Sequence, residues 1–299
     1  MLCDNPYVNG NHVHACGQCL GCRIKHRRTW ANRLIIESTL HLHSSFVTLT
    51  YDEENEPENR ELCPKHLTDF FKRYRYKIYP RRHRYYACGE YGSQTDRPHY
   101  HIAMFGTPAC ERGETDNIRM AKGRSCCDTC DLIHSCWGKG RIHSVAFEEK
   151  TAHYVTKYIT KSLVDRSVTC RQPEFARMSK NPGIGALFMH EVASSLMEFK
   201  LDGLSDVPNA IRIGSSTLPL GRYLRRRLRL LVGKLEETPQ STHQETFDRL
   251  SSLRKVATRI TPTGQGRNQA LKDLILKKYK GKLVQIHQIE RRNRPKDKI

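Results

Sequence analysis

The sequence has no run approaching the ~20 consecutive apolar residues that a membrane-spanning helix needs. Hydrophobic residues make up 37% of its 299 positions, which suits one ordinary core and not a membrane protein. The opening Met1-Leu2-Cys3-Asp4-Asn5-Pro6 lacks the basic and apolar regions of a secretory signal. Action in the cytoplasm where the chain is made is therefore expected. A Gly-x-x-x-x-Gly-Lys-Ser/Thr phosphate loop is absent as well, which argues against a built-in helicase. Acidic residues are scarce: 31 Asp and Glu face 51 Lys and Arg, for a formal charge of +20. Such a balance points to a polyanionic partner, nucleic acid first.

Cysteine, by contrast, is plentiful, with 12 residues. Without an export signal, clustered cysteines read better as metal ligands than as disulfides. Cys16, Cys19 and Cys22 have zinc-like spacing, with His12 and His14 just upstream. Cys126, Cys127, Cys130 and Cys136 form a second group, with Cys110 nearby. Zinc takes four tetrahedral ligands, so each group could supply three or four, or the two could share one structural ion. The alternative is thiols that pack against a sheet without metal.

Hydrophobic periodicity divides the chain into elements. Residues 1–22 read as an irregular Cys-rich segment. Arg23 to about His43 reads as a helix, with Trp30, Leu34 and Ile35 near helical spacing. Phe46–Tyr51 has strand character, and Pro64–Tyr79 fits a helix with Leu67, Phe70, Phe71 and Tyr74 on one face. Arg84–Tyr91 and His99–Phe105 read as hairpin strands, Thr107–Lys139 as an inserted polar loop, Ile142–Phe147 as a strand and Thr151–Ser162 as a helix. Three regions result: 1–22, a folded domain over 23–190 carrying the 107–139 insertion, and a basic, partly helical region over 191–299. From Arg222 onward there are 21 Lys and Arg against 7 Asp and Glu, which suits a phosphate-binding arm.

The chemistry concentrates in two places. On a strand, His99 and His101 share one face while Tyr100 points away. Glu90 on the preceding strand can pair beside them. Two imidazoles and a carboxylate with open positions suit Mg²⁺ or Mn²⁺ on a phosphodiester, although His-x-His alone can be two ordinary polar residues. Tyr154 and Tyr158 are one helical turn apart and project from one helix face. Lys157 and Lys161 beside them would favour phenolate over phenol, whose ordinary pKa is ~10. Tyrosines at this spacing can also simply pack, and the His-x-His strand is what favours chemistry.

Phe46–Tyr51, Cys88-Gly89-Glu90-Tyr91-Gly92, Arg97-Pro98-His99-Tyr100-His101, Trp137-Gly138-Lys139-Gly140 and the tandem Tyr-x-x-Lys run in one order. Together with Cys16–Arg23 and Pro173–Ser179, that order resembles the replication initiators of microviruses, nearest the gokushovirus branch, across roughly residues 15–190. Those proteins are HUH endonucleases. The resemblance implies an α+β fold with a central antiparallel sheet flanked by helices. It implies a metal on His99, His101 and Glu90, nucleophiles at Tyr154 and Tyr158, and rolling-circle nicking and rejoining of phage DNA at its origin. It further implies action on single-stranded and replicative-form DNA in the cytoplasm of a bacterial host, with host helicase and polymerase as partners. The competing readings are a relaxase or transposase of the same mechanism, and a non-catalytic zinc-dependent nucleic-acid-binding protein.

Overall fold

The computed structural model describes residues 3–9, 12–92, 95–112, 126–161, 171–262 and 264–292. A short antiparallel pair, β1 (Tyr7–Asn9) and β2 (His12–His14), leads into α1 (Leu20–Ser38). Then come β3 (Ser44–Tyr51), α2 (Pro64–Ile78), β4 (Arg84–Tyr91), β5 (Pro98–Phe105), α3 (Asp128–Trp137), β6 (Gly140–Ala146), α4 (Glu149–Lys161) and β7 (Phe175–Met178). Strands β3 to β7 form a sheet in the order β6-β3-β5-β4-β7, antiparallel at each pairing. After it lie α5 (Phe188–Glu198), a strand pair β8 (Ala210–Ile213) and β9 (Ser216–Pro219), and helices α6 (Gly221–Leu231), α7 (Gln240–Asp248), α8 (Ser251–Ile260) and α9 (Gly264–Arg292). The expected α+β architecture, an antiparallel sheet with helices on both faces, is present.

Period-two alternation sends β3 and β5 side chains into two different cores. Val47, Leu49, Tyr51, Tyr100, Ile102 and Met104 face α2 and α3, where they pack with Leu67, Phe70, Tyr74 and Trp137. Each fully buried side chain of this kind contributes roughly 1.5–3 kcal/mol by leaving water. Phe46, Ala103 and Phe105 face the opposite way, against Ala31 and Leu34 of α1 and Ala152 and Val155 of α4. The second face is the one that carries His99 and His101, so α4 lies over the candidate site.

The Trp137–Gly140 motif has a structural origin. The Trp137 ring is fully buried, and its Nε1 donates to the Thr50 carbonyl at 3.2 Å. Gly138 closes α3 in the left-handed region at φ 59° and donates its N–H to the His134 carbonyl. Gly140 has φ 135°, and a Cβ there would come within 2.2 Å of the Asp52 nitrogen. Only glycine lets β6 begin so close to the end of β3.

Several sequence expectations need correction. The first helix spans Leu20–Ser38, not Arg23–His43, because the cysteine loop at Cys16–Cys19 already sets up its first turn and Thr39 ends it. The 107–139 insertion is not all loop: it contains α3, whose Cys130, Ile133, Cys136 and Trp137 are buried. The basic region from Arg222 is not a free arm. Leu224 and Leu228 of α6 join Ile36 of α1 and Met189 of α5 in a third core. Ala257, Leu271 and Ile275 form a fourth, against Val8 and Val13. The 190/191 division falls inside α5.

Polar contacts tie α1 to the start of β4 and to the loop before α5. The carboxylate of Glu37, fully buried, accepts the Gly185 N–H at 2.6 Å and pairs with Arg84 and His41. Burial alone would raise its pKa, but these partners hold the carboxyl below its ordinary value. Arg33 lies 4.0 Å over the Trp30 ring and 4.5 Å over Tyr223.

Candidate active site and two cysteine clusters

The register of β5 against its neighbours assembles the site. His101 lies opposite Thr48 of β3 and Cys88 of β4; His99 lies opposite Thr50 and Glu90. Alternation then puts Thr48, Thr50, Glu90, His99 and His101 on one face. The His101 Nε2 is 2.6 Å from the Glu90 Oε1, with both side chains buried. On the other side of each ring, Nδ1 meets a threonine hydroxyl: Thr48 Oγ1 at 3.0 Å from His101 and Thr50 Oγ1 at 3.2 Å from His99. Burial, then the neighbouring His101, pushes the His99 imidazole below its ordinary pKa, which Glu90 offsets in part. His99 is thus held neutral, the form that donates a lone pair.

Sequence reasoning grouped Glu90, His99 and His101, and the register brings all three to one end of the sheet. Convergence is uneven. Glu90 and His101 touch, whereas the His99 and His101 ring centres are 6.4 Å apart. The His99 Nε2 lies beside Gly92, 3.1 Å from where a Cβ would stand.

Helix α4 brings the tyrosines. Thr151 Oγ1 accepts the Glu148 N–H at 2.8 Å and so starts the helix. Ala152, Val155 and Thr156 bury one face against α1 and the sheet. Tyr154 lies 44% exposed at the margin of that face. Its ring meets His101 edge-on, at 5.3 Å between centres and 89° between planes, and meets Phe46 at 5.9 Å. Phe46 in turn stacks on His101 at 5.6 Å. Lys157, half-buried, comes three residues later. Tyr158 and Lys161 lie on the last turn of α4, and their side chains fall outside the described residues.

Thr48 and Thr50 were not anticipated. Their signal was present as Thr at alternate positions of a strand, but only the pairing register connects them to the histidines.

The cysteines form two complete sets of four. Cys3, Cys16, Cys19 and Cys22 have their sulfurs within 4.8 Å of one another, as do Cys110, Cys126, Cys127 and Cys130. The first set takes Cys3 instead of an upstream histidine. His12 and His14 sit on β2, ringed by Tyr7 and His243. The second set leaves out Cys136, which is fully buried in the core under α2 and α3. A single shared ion is ruled out by this grouping, since each set is a tetrad of its own.

Thiol ionisation is split within each set. Burial raises the Cys16 thiol, but backbone N–H groups of Cys19 and Gln18 outweigh it and bring it to about 6. Cys127 is lowered by backbone N–H donors in the same way against its burial. Burial and the neighbouring sulfurs push Cys22 and Cys130 well up, and Cys126 to about 11. Four thiols packed this tightly, part thiolate already, have the donor chemistry of a Cys₄ zinc site.

A sheet face carrying a His-x-His pair beside a carboxylate, overlaid by a tyrosine helix, defines a class of metal-assisted phosphodiester chemistry. Residues 44–163, which build β3 to β6 and α4, match the replication-associated protein ORF2 family, and this segment belongs to it. The chain is similar to replication-associated protein ORF2 of Spiroplasma virus 4, 36% identical over 199 residues, covering 63% of this chain and 60% of that one. It is also similar to replication-associated protein VP4 of Bdellovibrio phage phiMH2K, 29% identical over 154 residues, covering 50% of this chain and 48% of the relative. Replication-associated protein ORF4 of Chlamydia phage 1 is 25% identical over 247 residues, covering 80% of this chain and 59% of that protein. The matched regions thus span about half to three fifths of these relatives. No solved structure matches the chain. Among the described residues no helix is long and apolar enough to cross a membrane.

Proposed function

We propose that this chain initiates rolling-circle replication of a small circular single-stranded DNA phage by nicking one strand and later rejoining it. The observation that carries this reading is the placement of Tyr154 edge-on to His101, with Glu90 in contact with the same imidazole. The similarity to phage replication-associated proteins supports it.

The donor set fits a divalent cation. A carboxylate and two imidazoles are hard-to-borderline ligands, and threonine hydroxyls occupy both Nδ1 atoms, which leaves each Nε2 as the donor. His99, His101 and Glu90 would hold Mg²⁺ or Mn²⁺, which when bound polarises the phosphodiester and offsets charge on the leaving oxygen. The residues of the chain do the rest. The Tyr154 phenol loses its proton, favoured by the lysine charges of Lys157 and Lys161, and its oxygen attacks phosphorus in line. A tyrosyl–phosphorus bond forms as the bond from phosphorus to the 3′ oxygen breaks, and the 3′ oxygen leaves and takes up a proton. Tyr158, one turn away, cuts the regenerated origin after synthesis. The freed 3′ hydroxyl then attacks the first phosphotyrosine and closes the circle. Each step exchanges one phosphodiester for another, so rejoining requires no ATP.

In this reading residues 23–190 form the nicking unit, and the two cysteine sets hold structural Zn²⁺. The substrates are phage single-stranded and replicative-form origin DNA in the bacterial host cytoplasm, with unwinding and synthesis supplied by host helicase and polymerase. The test is to incubate the full chain with end-labelled phage single strands and Mn²⁺ and to map any DNA-linked peptide. An adduct on a peptide containing Tyr154 or Tyr158 is expected. Cleavage without an adduct, or an adduct elsewhere, overturns the assignment.

A further inference from the structure

We infer that a basic groove at the far end of the sheet holds the sugar–phosphate backbone of single-stranded DNA some distance from the scission point. This rests on the proposed DNA-processing role. The groove lies at the start of β4 and the end of β7, with a volume of about 1240 Å³. Arg75, Arg81, Arg82, Arg177 and Lys180 line it, and no acidic residue does. The one guanidinium there that is neutralised is Arg84, through the buried Glu37. Among the described residues no carboxylate pairs with Arg75, Arg81, Arg82 or Lys180. A cationic concavity left without counter-charge in a protein of +20 is suited to a polyanion.

The lining also includes Tyr79, 83% exposed, with Tyr76 close by at 86%. Exposed rings among arginines offer stacking to unpaired bases, while the guanidinium forks match phosphate oxygens. An acidic protein partner would call for an apolar anchor at the centre of such a surface, whereas the lining is chiefly guanidinium, ammonium and phenol. A second groove of about 470 Å³ shares Lys180, Asn181 and Pro182 and continues the charge to Arg226 and Arg227.

The edge strand β7 links this groove to the candidate active site. Phe175 pairs with Gly89, next to Glu90, and Met178 pairs with Tyr86, next to the groove. Along β4 the path from Arg84 to Glu90 is six residues, roughly 20 Å at ~3.4 Å each. That equals about six stacked nucleotides at ~3.4 Å per step. A strand too short to bridge that distance should therefore miss the groove.

The probes are oligothymidylates of eight and twenty-five nucleotides, measured with the full chain by fluorescence anisotropy across a salt series. The longer strand should bind more tightly. The triple variant Arg81→Ala, Arg82→Ala, Lys180→Ala should lose most of that advantage, about tenfold at 0.1 M salt. Its salt slope should flatten by about two, since each single-strand phosphate contact contributes ~0.7. A charge-matched control, Arg212→Ala, Arg249→Ala, Lys255→Ala, should keep both, and circular dichroism checks the fold of each protein. Equal binding of the two lengths by the unmodified chain overturns the inference. So does an unchanged slope in the groove variant, or an equal loss in the control. Covalent adduct formation on a short scissile strand is scored separately. Its absence from the unmodified chain would sink the proposed nicking activity while leaving the binding comparison readable.

Discussion

The hydroxyl of Thr48 lies 3.0 Å from the Nδ1 of His101, on the opposite side of the ring from Glu90. When Nδ1 carries the proton it donates to Thr48, and Nε2 is left as the lone-pair donor. Thr50 does the same for His99 at 3.2 Å. These threonines are positioning residues, acting through the imidazoles.

Replacing Thr48 with valine keeps the β-branched shape and removes the tautomer-setting oxygen. The nicking rate should fall about 10–100-fold, in the range typical for losing a partner that orients a metal ligand. The apparent Mn²⁺ requirement should rise along with it, and Thr48→Ser should restore both. A purely structural role would instead lower the thermal midpoint and leave the metal dependence unchanged. The measurement is nicking against Mn²⁺ concentration for the three proteins.

The tyrosines give a second prediction. Tyr154→Phe with Tyr158→Phe should abolish the covalent adduct and leave strand affinity within about twofold. Either single change should leave some cleavage and block release of closed circles, because two nucleophiles are used in turn. His101→Ala should also remove nicking, without disturbing the helix that carries Tyr154. Adduct persisting in the double phenylalanine variant would mean that another group attacks phosphorus.

Much of this was legible in the sequence, for identifiable reasons. Strands β4 and β5 read correctly because Arg84–Tyr91 and Pro98–Phe105 join β-rich runs across a short turn. Glu90, His99 and His101 could be grouped because alternation fixes which side chains share a face. Thr48 and Thr50 could not be seen, because they approach the histidines across a pairing with |i−j| near 50 whose register no local pattern states. Cys3 was missed for the same reason: it reaches Cys16 and Cys19 through the fold, outside the C-x-x-C spacing. Helix α3 was hidden by the Cys- and Gly-rich composition around it. The packing of α6 was masked by its charge, since Arg225, Arg226, Arg227 and Arg229 interrupt the leucines that it buries.

The acid sensitivity of the fold should include His83. Its ring stacks on Phe71 at 5.9 Å and meets Tyr74 edge-on at 5.0 Å, and its Nε2 has no hydrogen-bond partner. Burial, followed by the charge of Arg75, lowers its pKa to about 4. The folded state therefore resists the proton that the unfolded chain accepts near pH ~6.5. Stability is complete above pH ~6.5 and is lost as pH falls toward ~4, by on the order of 3 kcal/mol for this group. His83→Phe keeps the stacking and should flatten urea-derived stability between pH ~6.5 and ~4 by about one proton's slope. His26, His66 and His153, also lowered chiefly by burial, will retain the remainder. An unchanged slope in His83→Phe would show that His83 is protonated in the folded protein.

The cysteine tetrads make a prediction about stoichiometry. If each holds one structural zinc, the purified chain should carry two equivalents that survive dialysis against Mg²⁺ buffer. Cys3→Ser should remove one equivalent and Cys130→Ser the other, since each loses one of four tetrahedral ligands. Cys136→Ser should remove none, although Cys136 shares α3 with Cys130, because its sulfur lies in the core and outside the tetrad. Zinc binding is linked to folding, so both metal-depleting variants should melt lower, by on the order of ten degrees, before any effect on chemistry is seen. The first set joins the N-terminal segment to the start of α1, and the second joins the 107–139 insertion to α3. Cys3→Ser should therefore loosen the α9 packing on Val8 and Val13, and Cys130→Ser the packing of α3 on α2. Hydrogen exchange at those helices, paired with metal analysis, separates the two sites. Folded protein without zinc, or loss of an equivalent in Cys136→Ser, would overturn the assignment of these eight ligands.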